Sequence, residues 1–268
     1  MERRVTGRAV TSLTNPTVKA VRALHQRRER RQSGLFLVEG LRSVSEALEL
    51  GEAPKILLYG ERAATHPRLL AAAERADEAL MVTDAILAKV SRRDNPQTVI
   101  GVFAQKTTSL SKLDPTLSPL WIGLEAVRDP GNLGAVLRTA DAVGAGGVML
   151  IGECCDPFSV EAVRATMGSI FATPLIETSL DAFLSWRRAW PGTVAAARLQ
   201  ASDDYLAAPY QAPTLILMGN EQAGLSEAAA KACDVAVRIP MLGRADSLNL
   251  AVATGILAYA VRARLEGR

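Results

Sequence analysis

Short apolar runs and helically spaced apolar residues alternate along the N-terminal part of the chain. The runs predict strands at 34–38, 55–59, 80–83 and 99–104. Helical spacing between them predicts helices at 42–50, 67–79 and 84–90. Strands and helices that follow one another in this way predict a small α/β domain, which we place at residues 1–105.

The C-terminal part of the chain continues the alternation over a longer stretch. Strands are predicted at 120–124, 147–151, 174–177, 193–197, 214–218 and 235–239. Helices are predicted at 132–144, 159–168, 180–189, 225–231 and 247–265. This order predicts a mainly parallel sheet covered by helices on both faces, and therefore a second α/β domain at 119–268.

Residues 106–118 separate the two predicted domains. They are rich in Ser, Thr and Pro and follow neither a strand period nor a helical period, so they predict an interdomain linker. A chain of 268 residues is long enough for two domains. No apolar run is long enough to cross a bilayer, and the first residues lead into no signal-peptide core, so we expect a cytoplasmic protein.

Positive charge is concentrated at the start of the chain. The net charge is +3, but residues 1–31 contain nine Lys or Arg against Glu2 and Glu29, a local charge of +7 that leaves −4 for the remainder. A basic arm on a mildly acidic body is typical of contacts with nucleic-acid phosphates. A solvated terminus has the same charge pattern, and charge alone does not separate the two interpretations.

Several kinds of site are disfavoured by the residues present. Cys154 and Cys155 are adjacent, which suits neither a disulfide framework nor a CxxC zinc site, and Cys233 stands alone. The only histidines, His25 and His66, give little support for zinc or for histidine acid–base chemistry, so we expect no metal. The chain contains neither a P-loop sequence nor a G-x-G-x-x-G fingerprint after its strands.

Three segments at predicted strand ends combine glycine with polar side chains. They are DPGNLGAVLRTA at 129–140, LMGNEQAGLS at 217–226 and IPMLGRADSLNL at 239–250. In the first segment, Leu133, Val136 and Leu137 follow helical spacing and Arg138 points away from them. Glycine-rich loops let backbone N–H and C=O groups approach a planar ligand, although any one of these glycines alone could serve only a turn.

These segments, in this order, resemble the three signature motifs of the SpoU branch of the SPOUT RNA methyltransferases, a TrmH-like family. The sequences NPTVK at 15–19 and GLFLVEGLR at 34–42 resemble that family's substrate-binding domain. The resemblance implies an L30e-like N-terminal α/β domain and a C-terminal α/β knot, in which the chain forms a trefoil knot through a mainly parallel sheet. It also implies a homodimer formed by the C-terminal domain.

The activity that the resemblance implies is transfer of the methyl group of S-adenosylmethionine to a ribose 2′-hydroxyl of RNA. Carried over position by position, the cofactor contacts fall on Gly219, Ile239, Met241 and Leu248. Ile239 and Leu248 would otherwise be ordinary core residues. The resemblance also favours RNA contacts for the basic arm and for the start of the first domain, and the arginines expected to make them are Arg27, Arg28, Arg30, Arg31 and Arg42.

Five polar residues match those that the family places at the methyl-transfer site: Asn132, Arg138, Glu221, Ser247 and Asn249. The guanidinium of Arg138 can hold an RNA phosphate, and we expect it to position the ribose rather than act as a base, because arginine stays protonated. Glu221 could orient Arg138 or accept a proton. As structural alternatives, Glu221 could stand at a helix start and Ser247 could be a helix N-cap.

Two positions depart from the family pattern: Gln222 stands where glycine is common, and Ala251 replaces a frequent serine. The segment 164–171 also resembles a family segment and suggests either substrate approach, a dimer face or a plain helix end at Gly168. Ribosomal RNA is the preferred substrate because the N-terminal domain resembles those of ribosomal enzymes, while transfer RNA stays open. The alternatives are an RNA-binding protein without turnover and an enzyme that methylates a base nitrogen.

Overall fold

The structure is a computed structural model that describes residues 10–201 and 203–267. The strands are β1 (Leu35–Glu39), β2 (Ile56–Tyr59), β3 (Glu78–Met81), β4 (Val99–Ala104), β5 (Leu120–Glu125), β6 (Val148–Ile151), β7 (Leu175–Thr178), β8 (Val194–Ala197), β9 (Asp203–Asp204), β10 (Thr214–Met218) and β11 (Val235–Arg238). The α-helices are α1 (Pro16–Ala23), α2 (Arg27–Ser33), α3 (Leu41–Glu49), α4 (Pro67–Arg75), α5 (Asp84–Ser91), α6 (Pro130–Val143), α7 (Val160–Thr166), α8 (Leu180–Arg187), α9 (Glu227–Lys231) and α10 (Leu250–Leu265).

The described residues form two compact units. The first unit contains residues 10–105 and 156–171, and the second contains 106–155 and 172–267. The first unit is built on a four-stranded sheet in the order β1-β4-β2-β3, in which β4 is antiparallel to both β1 and β2 and β2 is parallel to β3. It is an α/β unit, as the alternation in the sequence predicts.

Two helices of the first unit lie within the basic arm. At the start of α1 the side chain of Asn15 accepts a hydrogen bond from the backbone N–H of Val18 over 3.2 Å, and proline occupies the first turn. Val18 and Val21 are buried in the core of this unit. The helices α1 and α2 are not predicted from the sequence, because each is short and offers few apolar positions. Residues 1–9 of the predicted arm lie outside the described residues.

The segment 156–171 belongs to the first unit although it follows β6 and precedes β7 in the chain. Phe158 and Phe171 pack against Phe36 and Phe103, with ring centroids 5.0 Å apart for Phe36–Phe158 and 4.9 Å apart for Phe103–Phe171. The sequence predicts this segment as part of the domain at 119–268. Its sequence pattern predicts an ordinary helix, and only its packing shows that it is part of the first unit.

The second unit is built on a seven-stranded sheet in the order β7-β6-β5-β10-β8-β11-β9. Every neighbouring pair in it is parallel, which agrees with the predicted mainly parallel sheet. Residues 106–118, predicted as a linker, are part of this unit: the N–H of Thr108 donates to the carbonyl of Leu175 over 2.7 Å, and Leu110 and Leu113 pack on its core. The trefoil knot stays a prediction.

The parallel sheet determines where the three motifs lie. The motifs follow β5, β10 and β11, and strands that run in one direction end at the same edge of a sheet. Loops far apart in the sequence therefore meet at this edge. None of the helices in the described part of the chain combines the length and apolarity needed to cross a membrane.

Candidate functional site

A cavity of about 610 Å³ opens at the carboxyl ends of β8, β10 and β11. Its wall consists of the loops that follow these strands, the start of α10 and one residue of α6. All four predicted cofactor-binding residues and four of the five predicted catalytic residues line it: Gly219, Ile239, Met241, Leu248, Asn132, Glu221, Ser247 and Asn249. Arg138 is the predicted catalytic residue that does not line this cavity.

A line of hydrogen bonds between side chains joins the three motifs. Asn249 Nδ2 donates to Asn132 Oδ1 over 2.8 Å, and Asn132 Nδ2 donates to Glu221 Oε1 over 3.2 Å. The acceptor character of Glu221 fixes which atom donates in each of these hydrogen bonds. A carboxylate only accepts, so Asn132 must turn its NH₂ toward Glu221 and its oxygen toward Asn249.

The side-chain oxygen of Asn249 is then free to cap α10. It accepts from the backbone N–H groups of Ala251 over 2.9 Å and Val252 over 3.3 Å. The predicted helix start at 247, with Ser247 as a possible cap, is therefore wrong: α10 begins at Leu250 and Asn249 is its N-cap. Ser247 lines the cavity instead.

Glu221 is held as a carboxylate. Its oxygens accept from the backbone N–H groups of Arg128 and Asp129, each over 3.2 Å, as well as from Asn132. Although partial burial favours the neutral acid, the hydrogen bonds from its own N–H, from Asn132 and from these two N–H groups hold the pKa of Glu221 below its ordinary value. A carboxylate with a low pKa and occupied oxygens suits an orienting role better than a basic one.

Asp129 fixes the start of α6, from which Asn132 projects. Its side chain accepts from the backbone N–H of Asn132 over 2.6 Å, and proline follows it in the first turn. Asp129 thus positions the backbone of Asn132, while Glu221 positions its side chain. Asp129 lies within the first motif, but its sequence context alone does not indicate this role.

The loop after β10 is folded tightly on itself. Asn220 and Gly224 exchange backbone hydrogen bonds of 3.0 and 2.9 Å, and Gly224 has a φ of +70°. A Cβ on Gly219 would lie 2.1 Å from backbone atoms of Gly224 and Leu225, so only glycine fits there. The side chain of Asn220 donates to the carbonyl of Ala126 over 2.8 Å, which ties this loop to the one after β5. Asn220 is a site-shaping residue that sequence reasoning missed.

Arg138 lies on the exposed side of α6. Within residues 10–201 and 203–267 it forms no ion pair, and Glu221 is engaged by Asn132 and backbone groups instead. The suggestion that Glu221 orients Arg138 is therefore wrong for this structure. The guanidinium is left with its donors exposed to solvent.

The predicted RNA-binding arginines divide into two groups. Arg27, Arg28, Arg31 and Arg42 are exposed. Arg30 is only 3% exposed, and its guanidinium donates to Asp156 over 2.9 and 2.5 Å and to the carbonyl of Leu24 over 2.7 Å. Because its charge is neutralised inside the first unit, we withdraw Arg30 from the RNA-binding residues.

The cysteines show no sign of chemistry. Burial raises the pKa of Cys155 and of Cys233 to about 12, and it also raises the pKa of Cys154. Thiols of this kind stay protonated and unreactive. The described residues contain no group of three or more His, Cys, Asp or Glu side chains placed to hold a metal ion.

Two family profiles and several known proteins match the chain. The profile of the SpoU rRNA methylase family matches residues 119–259, and that of the MRM3-like substrate binding domain matches residues 15–101. The chain is 33% identical to a 23S rRNA (uridine(2479)-2′-O)-methyltransferase of Streptomyces viridochromogenes, covering 100% of this chain and 96% of that protein. It is 31% identical to a 23S rRNA (guanosine(2553)-2′-O)-methyltransferase of Bacillus subtilis, covering 94% of this chain and 98% of that protein.

Solved structures give the same result. A crystal structure of an AdoMet-bound rRNA methyltransferase from Sinorhizobium meliloti superposes with a TM-score of 0.89 at 45% identity, covering 96% of this chain and 98% of that chain. The SpoU methyltransferase AviRb of Streptomyces viridochromogenes superposes with a TM-score of 0.84 at 31% identity, covering 95% of this chain and 99% of that chain. The predicted family resemblance is confirmed, and the chain belongs to the SpoU rRNA methylase family.

Proposed function

We propose that this protein transfers the methyl group of S-adenosylmethionine to a ribose 2′-hydroxyl of ribosomal RNA. One observation carries the proposal: the three motifs of the SpoU family meet around one cavity and are joined there by Asn249, Asn132 and Glu221. Two relatives matched along nearly their whole length are 23S rRNA 2′-O-methyltransferases. An rRNA substrate agrees with the cytoplasmic location expected from the sequence.

The cavity fits S-adenosylmethionine in size and in lining. About 610 Å³ falls within the range of roughly 300–1,000 Å³ that is usual for small-ligand pockets. Gly219 and the loop that follows it line the cavity, where their backbone groups would meet the polar edge of adenine. Ile239, Met241 and Leu248 are half-buried and would cover its apolar faces. When bound, the sulfonium group supplies a methyl carbon that a nucleophile can attack.

The chain's own residues would position the hydroxyl. The line from Asn249 through Asn132 to Glu221 holds the polar side of the cavity in one arrangement before substrate arrives. Ser247 adds a hydroxyl at this wall. We assign Glu221 the role of orienting Asn132 as a carboxylate at neutral pH, since its pKa lies below its ordinary value.

Arg138 would hold an RNA phosphate. Its exposed guanidinium offers a planar set of donors that matches two phosphate oxygens, and fixing the phosphate also fixes the adjacent ribose. We assign it positioning and no proton transfer, because an arginine stays protonated at neutral pH. In the first unit, the exposed Arg27, Arg28, Arg31 and Arg42 would contact phosphates farther along the RNA.

We also propose that two copies of the chain form a homodimer through α10. Val252 is 51% exposed and Tyr259 is 55% exposed, and seven residues place them on the same side of the helix two turns apart. Large apolar side chains exposed in register are typical of a surface that another subunit covers. Sedimentation of the intact protein at micromolar concentration tests this, and a monomer would contradict it.

The substrate assignment is tested by mapping 2′-O-methyl groups in cellular RNA. RNA from cells with and without this protein is treated with alkali, because a 2′-O-methyl group protects the adjoining phosphodiester bond. We expect one protected position in ribosomal RNA to be lost when the protein is absent. Loss confined to transfer RNA would show that the substrate class is wrong, and an unchanged pattern would argue against turnover.

A further inference from the structure

A second cavity, of about 260 Å³, lies wholly within the first unit. The end of β1, the start of α3, the loop after α5 and the segment that carries α7 form its wall. None of the methyl-transfer motifs contributes to it. Its lining combines arginine side chains with apolar ones, which is unusual for a cavity that serves packing alone.

The charges at this cavity do not balance. Glu39 is the buried carboxylate, with its side chain 3% exposed, and Arg164 binds it through two hydrogen bonds of 2.9 and 2.7 Å. This pair is complete, since Arg164 also donates to the carbonyl of Ser91 over 3.0 Å. Arg93 reaches Glu39 only at 3.8 Å and its side chain is 41% exposed. The guanidinium of Arg93 therefore keeps donors for another acceptor.

A neutral amide lies beside these arginines. Gln97 is exposed, and its side-chain oxygen lies 3.5 Å from the position that a Cβ on Gly40 would occupy. Gly40 has a φ of +96°, so a larger residue there would be strained. The side-chain amide of Gln97 carries both a donor and an acceptor, which can read the edge of a nucleobase.

The remaining wall is apolar and partly open to water. Met167 lines the cavity, and 51% of it is exposed to solvent. Phe171 is half-buried beside it. A thioether and an aromatic ring offer polarizable surface against which a planar base can pack.

We propose that this cavity binds one unpaired nucleotide of the RNA substrate, with Arg93 on its phosphate, Gln97 at the base edge and Met167 against the base face. The proposal rests on RNA being the substrate, as argued above. A volume of 260 Å³ is below the range of roughly 300–1,000 Å³ for whole small ligands and suits a single base. A base in a duplex is stacked and cannot enter, so the site selects single-stranded RNA.

The test measures the affinity of the intact protein for unmodified 23S rRNA made by transcription, without S-adenosylmethionine. The variants are Arg93→Ala and Met167→Ala. The control is Arg62→Ala, because Arg62 is also exposed and also reaches its carboxylate partner, Asp84, only at 3.8 Å. Thermal unfolding of each variant shows that it is folded.

We expect roughly tenfold weaker binding for Arg93→Ala and for Met167→Ala, the loss of about one charge-assisted or one stacking contact. Arg93→Ala should also reduce the slope of affinity against salt by about one, whereas Met167→Ala should leave the slope unchanged. Arg62→Ala should bind within about twofold of the original protein, since surface charges away from a site contribute little.

Binding by both cavity variants that equals that of Arg62→Ala would overturn the proposal. Because the measurement involves no methyl transfer, it is independent of the proposed activity. If the cavity variants bind weakly while no methyl group is transferred to RNA, the proposed function fails and the nucleotide site stands. If methyl transfer is found and the variants bind normally, only the nucleotide site fails.

Discussion

Asn249 donates a hydrogen bond to Asn132 over 2.8 Å across a sequence separation of 117 residues. Asn249 also caps α10, and Asn132 also binds Glu221, so one side-chain contact joins two helix starts and the loop after β10. Asn249, Asn132 and Glu221 therefore form one hydrogen-bonded network in the wall of the cavity. A change at any of its three members is expected to affect the other two.

Substitution at the centre of this line should have the largest effect. Asn132→Asp removes the donor to Glu221 and places two carboxylates about 3.2 Å apart. We expect it to lower the free energy of unfolding by about 1–3 kcal/mol and to reduce kcat/KM at least about 100-fold. Asn132→Ala removes the same bonds without repulsion and should be more stable than Asn132→Asp. Urea unfolding that ranks them the other way would contradict this.

The depressed pKa of Glu221 predicts a particular pH dependence. The carboxylate stabilises the folded state fully above its ordinary pKa of about 4.5, and this stabilisation is lost as the pH falls through the lower folded value. Glu221→Gln should therefore be less stable than the original protein at pH 7, with a gap that is constant down to about pH 5. Below pH 4.5 the gap should narrow. Unfolding curves of both proteins from pH 7 to pH 4 check this, and a gap that closes already near pH 6 would not fit.

Gly219 should tolerate no side chain. Gly219→Ala places a Cβ 2.1 Å from backbone atoms of Gly224 and Leu225, so the loop must move. We expect the affinity for S-adenosylmethionine, measured by calorimetry, to fall at least about tenfold. Gly243→Ala is the matched control, because nothing lies within 4 Å of a Cβ there. Equal affinities for the two variants would argue that the cofactor lies elsewhere.

Arg138 should affect turnover without affecting cofactor binding. It is exposed on α6 and does not line the cavity of about 610 Å³. Arg138→Ala is expected to remove methyl transfer, while calorimetry with S-adenosylmethionine gives an affinity close to the original. Arg138→Lys keeps the charge but cannot bind a phosphate in a bidentate manner, so it should retain only part of the methyl-transfer activity. An equal loss of cofactor affinity would show that Arg138 acts on the cofactor.

Substitution of two arginines in α2 should have different effects on stability and on RNA affinity. Arg30→Met leaves Asp156, whose side chain is 13% exposed, without its partner, and is expected to lower the free energy of unfolding by about 3–5 kcal/mol. Arg28→Ala removes an exposed charge from the same helix and should change that free energy by less than about 0.5 kcal/mol. RNA affinity should fall for Arg28→Ala. A stable Arg30→Met variant that loses RNA affinity would restore Arg30 to the RNA surface.

Local patterns predicted the elements that bury an apolar face. The helix with Leu133, Val136 and Leu137 is an example, and so are six of the seven strands of the parallel sheet, because spacing and strand length are properties of nearby residues. The strand β9 was not predicted, because it consists of only two polar residues. The helix α2 was missed because its buried residue is Arg30, whose partner Asp156 lies 126 residues away. The cap of α10 was misplaced because serine and asparagine cap helices about equally well, so composition did not choose between Ser247 and Asn249.

The sequence indicated most of the predicted residues that line the cavity but not the hydrogen bonds between them. Family motifs identified Asn132, Glu221 and Asn249, yet Glu221 was expected near Arg138 and instead binds Asn132. Which donors meet which acceptors depends on the loops at the edge of the sheet, and their shape depends on contacts such as that between Asn220 and Ala126. The placement of 156–171 in the first unit is likewise a property of packing and not of local sequence.

The most direct test of the proposed chemistry is transfer of tritiated methyl groups from S-adenosylmethionine to total RNA, followed by digestion to nucleosides. We expect label in a 2′-O-methylated nucleoside of ribosomal RNA, and no label when the Arg138→Ala variant is used. Label carried only by base atoms would contradict this expectation.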